Sequence, residues 1–261
     1  QTISREMGAP IKLARNAQAP LGLRHLNAFI AALKTYQFER PLNEANPQEH
    51  IVREPIGVCG LITPWNWPIH QVTLKVFAAL ASGCTTVLKP AETAPLSSIL
   101  FAEMIDEAGL PKGVFNLVNG LGSSVGDAIA RHPLVDMVSF TGSTRTGASI
   151  TKASADTVKR VMLELGGKSP NIIFGDCDVE DAVKRGVTHC FSNTGQSCNA
   201  PTRMLVERSV YDQAVAVAVA HAESTKVDDP AKDGDHIGPL ASKTQFAKVQ
   251  GLVEEAIRDG A

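Results

Sequence analysis

Five short apolar runs, separated by segments of helix length, constrain this chain more than any other feature. They are IGVCGLIT (56–63), CTTVLK (84–89), VFNLV (114–118), DMVSF (136–140) and VMLEL (161–165). Strand and crossover helix repeated in this way predict an α/β architecture: a parallel sheet with helices on both faces. The punctuation agrees, with Pro68 and Pro95 near predicted helix starts and Gly83 and Gly109 near helix ends.

Three other stretches surround this rhythm. From Thr2 to Tyr36 the chain reads as helices, because Leu23, Leu26, Phe29, Ile30 and Leu33 recur at helical spacing. Residues 37–55 are polar and broken by Pro41 and Pro47, which predicts a hairpin or excursion away from the core. A second α/β unit begins near Gly166, with a strand at PNIIF (170–174), a helix over Val179–Phe191, a strand at Arg203–Glu207 and two closing helices. The run AVAVAVA (214–220) alternates like a strand, but its alanine content and its length with flanking residues favour a helix.

Composition narrows the function classes. Lys and Arg total 25 against 27 for Asp and Glu, so no basic excess points to nucleic acid, and small molecules are the expected partners. No window approaches the roughly 18 uninterrupted apolar residues of a membrane helix, and the N-terminus lacks the pattern of a signal peptide. No membrane association and a cytoplasmic location are therefore expected. The five cysteines, Cys59, Cys84, Cys177, Cys190 and Cys198, are odd in number and contain no CxxC, which indicates neither a disulfide framework nor a structural metal site. The chain opens at Gln1 and stops at Ala261 directly after a helix-like run. We read this as a processed product or an incomplete gene.

Several motifs can carry chemistry. FTGSTRTG (140–147) passes from a strand end into a helix and offers backbone N–H groups to a phosphate, although Gly142 and Ser143 serve equally as a turn and an N-cap. Ala148 stands where a Walker A loop has its Lys. Upstream, NGLGSSVG (119–126) imitates a dinucleotide fingerprint; a plain strand-to-helix turn is the better reading, with at most a peripheral contact at Gly122 and Ser123. In PWNWP (64–68) two prolines stiffen a turn that can aim Asn66 at a developing oxyanion, or that is simply a rigid aromatic corner. GQSCNAPTR (195–203) places Cys198 in a polar turn, whereas Cys59 and Cys84 sit at apolar strand starts. Cys198 is thus the exposed thiol to consider as nucleophile. LELGGK (163–168) puts Glu164 at the end of an apolar strand, where burial is expected to raise its proton affinity toward that of a general base.

Taken together and in this order, PWNWP, LKPAE, FTGSTRTG, LELGGKSP and GQSCNAPTR resemble the aldehyde dehydrogenase superfamily of the hydrolytic, NAD(P)-dependent type. The resemblance implies a Rossmann-like dinucleotide-binding domain (1–36 and 56–165), an oligomerisation hairpin (37–55) and the first part of a catalytic domain (166–261). It further implies Cys198 as nucleophile, Glu164 as the base that activates the deacylating water, and Asn66 with the Cys198 N–H as oxyanion site. Lys75 matches a lysine linked to proton relay. Lys89 and Glu92 would hold the adenosine ribose, Gly142 and Ser143 the diphosphate, Trp65 would line the cofactor cleft, and Gln245 would contact a ribose. The implied reaction takes an aldehyde through a cysteine thiohemiacetal and a thioester to a carboxylic acid, with NAD preferred over NADP, in a homodimer or homotetramer. The family's later Glu-Ile-Phe-Gly-Pro segment does not occur in these 261 residues.

Three rivals are weighed against this reading. The first is a non-catalytic, cofactor-binding scaffold. A CoA-acylating dehydrogenase is disfavoured by Glu164, since a water-activating base serves hydrolysis. A cysteine hydrolase pairing Cys198 with His189 is disfavoured because His189 falls within a predicted apolar helix, where a core histidine is the usual finding.

Overall fold

The helical segment ahead of the first strand is divided between two units. In the computed structural model, which describes residues 1–260, one unit is Ala17–Glu164 and the other joins Gln1–Asn16 to the residues from Leu165 onward. Helix α1 (Thr2–Met7) ends at Gly8, whose φ of 79° is left-handed and where a Cβ would come within 2.9 Å of the Pro239 ring. Helix α2 (Ile11–Leu13) continues through a wide π turn (Ala14–Gln18) into α3 (Ala19–Leu33). Ile11 N–H donates to Pro230 O at 2.7 Å, the Ser4 hydroxyl donates to the same carbonyl at 3.2 Å, and Lys12 pairs with Asp235. Helical periodicity identifies these residues as helix but not which core they join. The sequence groups all of 1–36 with the dinucleotide-binding domain, whereas by contacts residues 1–16 group with the residues from Leu165 onward.

Within Ala17–Glu164, α3 precedes an antiparallel hairpin of β1 (Glu39–Asn43) and β2 (Asn46–Val52). Its turn is closed by the Asn43 side chain, which accepts from the N–H groups of Ala45 and Asn46. There follow β3 (Val58–Ile62), α4 (Pro68–Ala81), β4 (Thr85–Lys89), α5 (Leu96–Glu107), β5 (Phe115–Leu117), α6 (Asp127–Arg131), β6 (Met137–Gly142), α7 (Thr144–Ser154) and β7 (Arg160–Leu165). These five strands form one sheet in the order β5-β4-β3-β6-β7, with β3 parallel to both β4 and β6.

The strand order reverses direction at β3, and a topological switch point of this kind opens a crevice at the carboxyl ends of the two central strands. Right-handed crossovers leaving in opposite directions put α4 and α5 on one face and α6 and α7 on the other, in keeping with the packing of α4 on α5 and α6 on α7. Leu61, Val72, Val76, Leu88 and Phe101 fill the α4/α5 side. Each stabilises the fold by about 1.5–3 kcal/mol relative to exposure. The rings of Phe77, Phe101 and Phe115 meet edge to face at 5.6 and 5.7 Å.

The other unit contains β8 (Pro170–Ile173), α8 (Val179–Phe191), β9 (Arg203–Val206), α9 (Tyr211–Glu223) and α10 (Lys243–Arg258), with β8 and β9 parallel. Asp178 caps α8 by accepting the Asp181 N–H at 3.1 Å. Ile173, Val179, Val183, Val187 and Ala214 form the core. The alternating run at 214–220 is helical, as its alanines predict. Among the described residues no helix is long and apolar enough to cross a membrane.

Candidate active site

The crevice at the switch point is a cleft of about 650 Å³. Its walls come from the turn after β3, the end of β4, the Gly122 turn, the end of β6 and the first turns of α7. Six residues singled out in the sequence meet here: Trp65, Lys89, Glu92, Gly122, Ser123 and Gly142. Lys89 is 2% exposed, and its Nζ donates to Pro90 O at 2.8 Å and to Glu92 Oε2 at 3.3 Å. Burial works to raise the Glu92 proton affinity, but its own N–H, the Lys89 ammonium and the Gly122 N–H outweigh it, and the carboxyl is held below its ordinary range. The cleft thus presents an anchored cation and an anion side by side, near the N-terminus of α7, whose free N–H groups favour an anion.

A side chain at Gly142 would crowd Phe140, because a Cβ there would stand 2.4 Å from Phe140 Cζ. Gly122 carries no such constraint: a Cβ would meet nothing within 4 Å. Ser143 is the N-cap of α7; its Oγ accepts the Thr146 N–H at 3.2 Å. It does not itself line the cleft, whereas Thr146 does. The sequence reading missed Arg145, Ser149 and Asp127, which also line it. For Arg145 and Ser149 the signal was present, since positions one turn apart on a helix starting at Ser143 share a face. Gln245 is not in this wall. It lies in the first turn of α10, where its N–H donates to the hydroxyl of the N-cap residue Ser242 at 3.2 Å.

Asn66 and Trp67 lie half-buried ahead of α4, with Pro68 fixing φ at the first helical position. Two turns into that helix, Lys75 is 9% exposed and donates from Nζ to Ser139 Oγ at 2.7 Å. Burial lowers the Lys75 pKa to about 8, opposed by the charge of Glu164. Glu164 itself departs from expectation. Rather than buried, it is exposed, because β7 is the edge strand of the sheet and Glu164 belongs to its outward-facing set.

Cys198 lies in the other unit and is exposed. The turn before it is strained: Asn193, Thr194 and Gly195 have φ of 54°, 61° and 70°, two of them without the freedom of glycine. Hydrogen bonds hold it there, from the Thr194 hydroxyl to Gly238 O (3.0 Å), from Gln196 Nε2 to Asn193 O (3.0 Å) and from Ala241 N–H to Gln196 Oε1 (2.9 Å). Gly167 of LELGGK approaches closely, since a Cβ would lie 3.4 Å from Cys198 O. Cys59 and Cys84 are buried, and the Cys59 thiol is pushed up to about 12 by burial and by Cys84. Burial also raises Cys190. Exposure alone does not single out Cys198, because Cys177 is exposed as well, its S–H donating to Phe174 O. His189 is on the exposed face of α8 rather than in the core, and no hydrogen bond joins it to Cys198 among the described residues.

A parallel α/β sheet whose strand order reverses at a cleft-bearing switch point defines the class of open, doubly wound α/β proteins. Within that class the chain belongs to the aldehyde dehydrogenase family, whose model matches residues 1–261. It is 53% identical over its whole length to a 3-succinoylsemialdehyde-pyridine dehydrogenase of a Pseudomonas species, of which it covers 54%. Among solved structures it is similar to an aldehyde dehydrogenase from Bartonella henselae (57% identity, TM-score 0.97, all of this chain and 54% of that one). It is also similar to a cysteine-to-alanine mutant of aldehyde dehydrogenase C from Pseudomonas syringae complexed with NAD+ and octanal (50% identity, TM-score 0.96, all of this chain and 53% of that one). The chain spans about half the length of the curated relatives it matches.

Proposed function

We propose that the protein carrying this chain oxidises an aldehyde to a carboxylic acid with NAD. The observation that carries the reading is the convergence of Trp65, Lys89, Glu92 and Gly142 in one cleft at the switch point. The cleft fits the adenosine and diphosphate portion of a dinucleotide. Glu92, held as an anion, accepts from ribose hydroxyls; Lys89 donates to them; Gly142 and Ser143 bring the N-terminus of α7 to the diphosphate. The same anion disfavours the 2′-phosphate of NADP, which carries about two negative charges. NAD, when bound, supplies the acceptor for the hydride that leaves the substrate.

The remaining chemistry belongs to side chains. Cys198 attacks the carbonyl carbon, and the oxygen that becomes negative is stabilised by Asn66 and the Cys198 N–H. Glu164 takes a proton from the water that cleaves the resulting thioester. Lys75 serves proton transfer, and Gln245 contacts a ribose. Two relatives point to aldehydes of different shape, since one is named for a pyridine semialdehyde and another holds octanal. The hairpin of β1 and β2 is exposed along nearly its whole length. An isolated two-stranded ribbon is marginal in water, which supports its pairing in a homodimer or homotetramer. Cys198→Ala tests the function: it should abolish NADH formation with every aldehyde while NAD affinity stays within about twofold, because only the covalent step is lost. Retained turnover would remove Cys198 from the mechanism.

A further inference from the structure

We propose that Ser139 is a positioning residue for this reaction, its hydroxyl holding the buried Lys75 ammonium in place against β6. The proposal rests on the aldehyde-oxidising reading above. Lys75 and Ser139 are 9% and 4% exposed, and the Nζ to Oγ hydrogen bond of 2.7 Å joins α4 to a central strand. Among the described residues no carboxylate lies within ion-pair distance of Lys75. A buried ammonium with one neutral acceptor is an expensive way to fill a core, and an apolar side chain of similar length would pack there at lower cost. Packing therefore does not account for the lysine.

What the arrangement supplies is a cation whose place is fixed and whose charge is labile. Burial brings Lys75 to about 8, so its charge changes near neutral pH, whereas an ordinary lysine stays charged. Titratable groups on the elements packed against α4 include His25 on α3, Cys59 on β3, Lys89 on β4 and Glu103 on α5. The charge of Glu164 on β7 raises the Lys75 proton affinity against the larger effect of burial. Ser139 is the hydrogen-bond partner that sets where this charge sits.

The test combines Ser139→Ala and Ser139→Thr in the natural protein with two readouts. One is the pH titration of the Lys75 Cε carbon signal, assigned by its absence in Lys75→Met; the other is the pH profile of steady-state NADH formation. Loss of the hydroxyl removes a hydrogen bond that favours the ammonium, so Lys75 should titrate about one unit lower in Ser139→Ala, roughly a tenfold change in proton affinity. The limb of kcat assigned to Lys75 should move by the same amount, with KM for the aldehyde within about twofold, and Ser139→Thr should restore both. An unmoved Lys75 titration in Ser139→Ala overturns the positioning. A moved titration with an unmoved kcat limb overturns its part in the reaction. Absence of aldehyde oxidation in the unaltered protein is a separate failure, of the functional reading itself, and is recognised because no variant is then involved.

Discussion

Of the three glycines that line the cleft, Gly122, Gly126 and Gly142, Gly142→Ala perturbs the one where a Cβ has no space. The new Cβ would stand 2.4, 3.1 and 3.2 Å from Phe140 Cζ, Cε2 and Cε1, against about 3.5–4.0 Å for an unstrained carbon contact. Ring and turn must therefore part by about 1 Å. Phe140 is 5% exposed, and its strand position is fixed opposite Ile62, so the turn bears much of the shift. Overpacking of this kind costs about 1–3 kcal/mol, a fall of roughly 2–10 °C in Tm for a protein of this size. Displacing the turn also weakens charge-assisted hydrogen bonds to the diphosphate, each worth about 1.5–3 kcal/mol, so NAD should bind roughly 10–100-fold more weakly. Calorimetric titration with NAD measures this, and Val183→Ala provides the comparison. Val183 is fully buried in the core of the other unit, and its truncation should cost a similar stability without changing NAD affinity. Wild-type NAD affinity in Gly142→Ala, or an equal loss in Val183→Ala, would refute the placement of the diphosphate at this turn.

Two further outcomes follow from the same geometry. Glu92→Gln should raise the ratio of kcat/KM for NADP over NAD by about tenfold, a modest factor because the Glu92 side chain is 48% exposed and screened; an unchanged ratio would show that Glu92 does not select the cofactor. His70, lowered to about 4 by burial and by His25, is neutral in the folded state and charges more readily in the unfolded one. Stability should therefore be complete above pH 6.5 and decline as pH falls toward 4, by a few kcal/mol at most. His70→Leu should flatten that decline in denaturant titrations, and an unaltered slope would assign the pH dependence elsewhere.

Local pattern made much of this legible. The apolar runs located every strand of the five-stranded sheet to within two residues at either end, and the alanines of 214–220 decided for helix. Exposure was harder to read, because it depends on strand order. Glu164 ends an apolar run and reads as buried, yet β7 lies at the sheet edge, a fact settled by the non-local return of the chain from β5 to β6. His189 was misjudged for a related reason: α8 is amphipathic, and Val183 and Val187, not His189, face its core. The allegiance of residues 1–16 depends on Pro230, Asp235 and Pro239, more than 200 positions away in sequence. In the cleft, resemblance to the family's motifs points to Trp65, Lys89 and Glu92 and the strand-to-helix turn points to Gly142, while Asp127 shows no local sign because the fold alone brings it there.

The central claim is that the acyl group passes through Cys198, and trapping it there tests the claim most directly. Glu164→Gln leaves attack and oxidation intact but removes the base that activates water, so hydrolysis of the thioester should stall. With aldehyde and NAD this variant should give a burst of about one NADH per site followed by a slow steady state. Mass spectrometry of the quenched protein should then find one acyl group, on the peptide containing Cys198. A burst that leaves Cys198 unmodified, or an acyl group on the other exposed thiol, Cys177, would contradict the account.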